Sequence, residues 1–232
     1  MIEVGILIII LAVKYGPGLS GLSYDRLDDS LLRREDRWGR WVWVIQLSFL
    51  LTFAACLYAR LDTHTWNLGY HYARLSEDPF AFDPANVVLY RPLTPFISYC
   101  LGLHGRLIVL TNLIITGFTI GLVYSYFRTR FDRPGDAFLA VVTITFSLVV
   151  LTSIHCGGYC DILTYLLIFL MWQHRDRRLV FYLLFLLGLM NRESIAFLIP
   201  WFVFISLQSQ TNKGRRVLEL IVGFGLTLLI HY

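Results

Sequence analysis

Charge is what this chain has least of. Asp, Glu, Lys and Arg make up 16% of its 232 residues, against about a quarter in soluble domains. With 56% of residues hydrophobic, too few polar side chains remain to cover a soluble fold of this length, so that class is excluded. There is no internal repeat, low-complexity tract or glycine-serine linker, and the chain reads as one domain with an N-terminal appendage. The first apolar run, residues 2–13, contains Glu3, lacks a basic leading segment and is followed by no small-residue cleavage site, unlike a secretory signal. It reads as a short span or an interfacial helix.

The four cysteines form no disulfide framework. Cys56 falls within an apolar run, and Cys100, Cys156 and Cys160 lie in or beside one set of loops, where an oxidising compartment would permit a bridge. His155, Cys156, Cys160 and Asp161 are metal-ligand types, but their spacing matches no standard zinc pattern, and Gly157-Gly158 between them marks a tight turn. No metal and no cofactor is expected.

What the chain does have is apolar runs, near residues 2–13, 41–61, 107–127, 136–154, 160–173, 179–190, 195–208 and 217–230. The expected fold is all-α: a polytopic helical membrane protein with about eight membrane-embedded helices. Fifteen of the twenty Lys and Arg residues collect in four of the connecting loops, Lys14 to Arg40, Arg128 to Gly135, His174 to Arg178 and Ser209 to Arg216. The positive-inside rule puts those loops in the cytoplasm and the N-terminus outside. The basic excess behind the net charge of +4 is concentrated in those loops, where topology alone requires it, so nucleic acid is not an expected partner; membrane lipid is.

Residues 1–40 are then the short hydrophobic helix and a cytoplasmic amphipathic connector, in which YDRLDDSLLRREDRWGR reads as a solvated helix along the headgroups. Residues 41–232 form the helical membrane domain. Gly18-Leu19-Ser20-Gly21 matches a pattern of intramembrane serine proteases, but it sits outside any long span and no later helix supplies a histidine partner.

Segments 62–106, 155–159 and 191–194 share the face opposite the basic loops. The first is long and aromatic, with Trp66, Tyr70, Tyr72, Phe80, Phe82 and Tyr90 as membrane-boundary aromatics. Residues 92–103 are apolar enough to suggest a span, yet counting them as one would place the later arginine clusters outside. An interfacial or re-entrant helix keeps the parity.

Ionisable residues in or beside spans are costly and mark candidate sites. Asp62 ends a run, Asp161 opens one, and Arg192 and Glu193 occupy a break between two; these are the candidates for acid-base work. His71, Asp78, Arg91 and His155 add acid, base and anion-binding capacity.

Gly69-Tyr70-His71-Tyr72, Ser76-Glu77-Asp78-Pro79-Phe80, Tyr90-Arg91-Pro92-Leu93-Thr94-Pro95, Gly158-Tyr159-Cys160-Asp161 and Leu189-Met190-Asn191-Arg192-Glu193-Ser194 with Pro200 resemble, in order and spacing, motifs of uncharacterised multi-spanning bacterial proteins. Those in turn look like the GT-C superfamily of membrane glycosyltransferases. The resemblance covers roughly residues 41–208. It implies a large first outer loop with membrane-parallel helices and a polyprenyl-phosphate-linked sugar or other lipid as partner, in the bacterial inner membrane.

In that family an acidic residue near the start of the loop acts as base or orients the acceptor; the related position here is Leu68, and Asp62 is the nearest carboxylate. Arg91 and Arg192 would suit the donor phosphate, with Asp161 and Glu193 on the acceptor. Family members often carry more spans and a soluble C-terminal domain. The competing expectations are a small transporter or lipid-handling protein, and a structural membrane subunit.

Overall fold

The computed structural model describes residues 20–61, 68–81, 86, 88–89, 91–156, 158–198, 200–201, 222 and 225. Among these the protein is all-helical, with no strand. Nine α-helices run α1 Ser20–Trp38, α2 Arg40–Ala59, α3 Leu68–Glu77, α4 Leu93–Cys100, α5 Ile108–Arg128, α6 Pro134–Thr145, α7 Leu148–His155, α8 Asp161–Gln173 and α9 Arg178–Asn191. Short 3-10 segments, Gly105–Leu107 and Glu193–Leu198, precede α5 and follow α9.

Among the described residues two helices are long and apolar enough to cross a membrane, α2 and the continuous Gly105–Arg128. A third crossing results if α6 and α7, bent by 49° at Phe146-Ser147, form one broken span. The expected run at 2–13 lies outside the described residues, as do all but Val222 and Gly225 of 217–230 and most of 195–208. At 13 and 14 residues, α8 and α9 each rise only about 20 Å, short of the hydrocarbon core of about 30 Å.

The chain divides into two compact units, Met1–Asp62 with Leu113–Gly157, and Thr63–Asn112 with Gly158–Tyr232. In the first unit, Gly39 at φ 76 separates α1 from α2, a left-handed conformation that a residue without Cβ adopts freely. One face of α2 is buried through Trp43, Leu47, Leu51 and Ala55, while Trp41, Ile45, Phe49, Phe53 and Leu57 form a continuous exposed apolar face. In water such a face would drive association; against acyl chains it carries no penalty.

Helix α5 meets α2 through Gly117 and Gly121, one turn apart. A Cβ at Gly121 would lie 2.7 Å from Ser48 Oγ and 3.3 Å from Val44 Cγ1, and one at Gly117 would lie 3.4 Å from Thr52 Oγ1. This is the small-xxx-small contact by which membrane helices approach closely, since lipid removes the hydrophobic drive and leaves van der Waals packing to hold the pair. Ser48 keeps its own hydroxyl satisfied by donating to the Val44 carbonyl at 2.7 Å.

Most side chains of the connector helix α1 from Asp25 onward are exposed, but one face of it is docked. Asp28 is buried and its carboxylate accepts the Gly135 N–H at 2.6 Å, supplying a partner to the N-terminus of α6, where Pro134 opens the helix. Glu35 accepts from the Tyr124 hydroxyl at 2.8 Å and from Arg128 Nε at 3.2 Å. Leu31 is buried as well. Asp28 and Glu35 therefore answer donors on neighbouring helices, which composition alone does not reveal.

In the second unit, Tyr72, Ala73 and Leu75 of α3 pack with Val88, Ile108 and Cys160. Helix α4 has eight residues, a rise of about 12 Å. Its continuation turns at Gly102, φ 69, rather than extending. Gly105, φ 62, donates its N–H to Ser76 Oγ at 2.9 Å, and a Cβ there would lie 2.8 Å from Glu77 Oε1. Helices α8 and α9 form a hairpin whose core is Met171, Phe181, Phe185 and Leu189, with Ile195 folding back over Gly188.

Candidate functional site

The α8–α9 hairpin has two chemically different ends. One carries the basic turn His174 to Arg177; the other brings the first residue of α8, Asp161, beside Arg192, which follows α9. Asp161 at a helix N-terminus is stabilised by the helix dipole and the free N–H groups there. Arg192 leaves the helix with extended backbone (φ −160, ψ 120), which ends the run. The two side chains form an ion pair between Arg192 Nη1 and Asp161 Oδ1, and they remain 33% and 24% exposed.

Beneath that pair lies a polar anchor. Asn191 is buried; its amide nitrogen donates to the Cys160 carbonyl at 3.0 Å and to Thr164 Oγ1 at 2.8 Å, and its oxygen accepts from the Thr94 hydroxyl at 2.6 Å. One side chain thus ties α4, α8 and α9 together. A buried amide is tolerated in such a bundle only with its donors and acceptor engaged, and here they are.

The outer segment contributes Tyr72 and Arg91. Arg91 Nη1 donates to the Tyr72 hydroxyl at 3.4 Å. Burial pushes the Tyr72 phenol up to about 12; Cys160 and Asp161 raise it further, while Arg91 opposes the shift. The phenol therefore stays protonated at neutral pH, a hydrogen-bond donor within electrostatic reach of Asp161. Tyr72 is thus a buried member of the site region rather than a boundary aromatic, whereas Tyr70 and Phe80 are exposed.

The other expected site residues are placed as follows. His71 is partly buried, its ring edge-on to Tyr70 at 5.8 Å, and its carbonyl accepts from Asn86 Nδ2 at 3.2 Å. Asp78 is exposed and its carboxylate accepts the Phe80 N–H at 3.2 Å, closing a local turn. His155 belongs to the first unit, with Nδ1 2.9 Å from the Ala59 carbonyl oxygen. Asp62 and the Glu193 side chain lie outside the described residues.

The four cysteines are free thiols, and Gly158, φ 86, sits in the tight turn expected before Cys160. Among the described residues no group of three or more His, Cys, Asp and Glu side chains is placed to hold a metal ion. Sequence reasoning passed over Asn191, Thr94 and Thr164 because they are uncharged; an asparagine closing an apolar run was the available signal. Comparison of the chain with protein-family models, with curated proteins and with solved structures gives no match.

Proposed function

We propose that the chain is a GT-C-like multi-pass membrane glycosyltransferase, or an inactive relative, that acts on a polyprenyl-phosphate-linked sugar at the outer face of a bacterial inner membrane. The full bundle would hold about eight membrane-embedded helices, with the 62–106 segment as the outer loop. The observation that carries the reading is the grouping of Asp161, Arg192, Tyr72 and Arg91 in one unit, at the hairpin end opposite the basic His174 to Arg177 turn. Cations and a neutral phenol suit a phosphate-bearing headgroup, and a carboxylate beside them suits an acceptor hydroxyl.

In the proposed reaction the bond between the anomeric carbon and the donor phosphate oxygen breaks as the acceptor oxygen bonds to that carbon. The acceptor proton passes to Asp161 or Glu193, and the departing phosphate is neutralised by Arg91 and Arg192. A lipid-handling protein that binds the same headgroup without turnover is the second reading, favoured by the engagement of the Asp161 carboxylate with Arg192. The test is transfer of labelled sugar from a polyprenyl-phosphate donor by protein in nanodiscs. Transfer that is lost in Asp161→Asn supports the transferase; headgroup binding without transfer favours the second reading; neither binding nor transfer overturns both.

A further inference from the structure

The Asp161–Arg192 pair differs from a structural ion pair in three respects. It joins one guanidinium nitrogen to one carboxylate oxygen, which leaves the bidentate capacity of Arg192 unused among the described residues. Both side chains keep a quarter to a third of their surface open, so solvent and a competing anion can reach the pair. The residues just before them, Cys160 and Asn191, are fastened to each other by the buried amide, so the side chains can change partners while the backbone stays still.

We infer that this ion pair is a resting lock on a phosphoryl subsite: Asp161 occupies the guanidinium that the phosphate of a lipid headgroup takes, and ligand enters by exchanging one anion for the other. The inference rests on the reading of this site as one for a phosphate-bearing lipid and adds the order of events. A phosphate presents several oxygens and engages Arg192 through two nitrogens, which the single contact to Asp161 does not. Exchange leaves Asp161 without its cation as the ligand arrives, so the carboxylate becomes available to an acceptor only when a donor is bound.

The lock makes an unusual prediction: removing a charged residue from the site tightens binding. Protein in nanodiscs of zwitterionic lipid is titrated with polyprenyl monophosphate, with inorganic phosphate and with phosphatidylglycerol, and binding is read by intrinsic tryptophan fluorescence. Asp161→Asn, nearly isosteric, binds the phosphoryl ligand about three- to tenfold more tightly than wild type. Arg192→Lys, which keeps the charge needed for insertion but not the planar fork, binds about tenfold more weakly.

The lock is overturned if Asp161→Asn binds no more tightly, or if Arg192→Lys binds as well as wild type. The ligand that shows the mutant pattern identifies the source: polyprenyl phosphate alone points to a donor lipid, phosphatidylglycerol to bilayer phospholipid, and inorganic phosphate to the headgroup by itself. Each supports the exchange. Absence of sugar transfer with the mutant pattern intact overturns the transferase reading and leaves the lock standing.

Discussion

The side-chain amide of Asn191 donates to the main-chain carbonyl of Cys160 at 3.0 Å, joining the residues that immediately precede Arg192 and Asp161. Charged groups at the end of a helical hairpin are held in register by a neutral one below them.

Asn191→Leu is therefore expected to destabilise the protein more than its conservative volume suggests. It leaves the Thr94 hydroxyl, the Thr164 hydroxyl and the Cys160 carbonyl to find other partners, at about 1 to 3 kcal/mol for each group left unsatisfied. Thermal unfolding in detergent checks this; a midpoint within about 2 °C of wild type, less than a 1 kcal/mol change produces in a protein of this size, would refute the anchoring role.

At the α2–α5 contact, Gly121→Leu should cost about 1 to 3 kcal/mol through overpacking against Ser48 and Val44. Gly121→Ala meets chiefly the Ser48 hydroxyl, 2.7 Å from the added methyl, and Ser48→Ala should recover most of that loss. Thermal midpoints of the two single variants and the double variant measure the coupling. Strict additivity would show that the close approach is not made.

Tyr72 links stability to alkaline pH. Its folded pKa, about 12, lies above its ordinary value of 10, so the native state retains a proton that the unfolded chain releases. Its contribution is complete below pH 10 and is lost as the pH rises from 10 toward 12. Tyr72→Phe should flatten that part of the stability profile, and the wild-type minus variant absorbance titration at 295 nm should show one phenol ionising late. A difference curve centred near pH 10 would contradict its burial.

Orientation is testable without reference to activity. A cysteine introduced by Arg130→Cys, in a background lacking the four native cysteines, should react with an impermeant maleimide only from the cytoplasmic side, because the loop Arg128 to Gly135 is one of the basic ones. Labelling from the opposite side would invert the topology and remove the outer-face assignment of Asp161 and Arg192.

Much of this was legible in the chain because it depends on near neighbours in sequence. Helices α2 and α5 follow from long apolar stretches, the α6–α7 bend falls within one such stretch, and the turn at Gly158 follows from glycine's freedom at positive φ. Residues 92–103 form only the eight-residue α4, and Gly102 at positive φ lets the chain turn just beyond it.

The pairings required the fold. Asp161 and Arg192 stand 31 positions apart, Thr94 and Asn191 97 apart, and no local rule of hydropathy or spacing selects one partner from several at such separations. The contacts of Glu35 with Arg128 and of Asp28 with the Gly135 N–H, which dock one face of a mostly exposed connector, were hidden for the same reason. Helix formation is decided by residues within a turn or two of one another; which polar group meets which is decided by how the helices pack, where each buried donor must find an acceptor or forfeit the energy that water would have supplied.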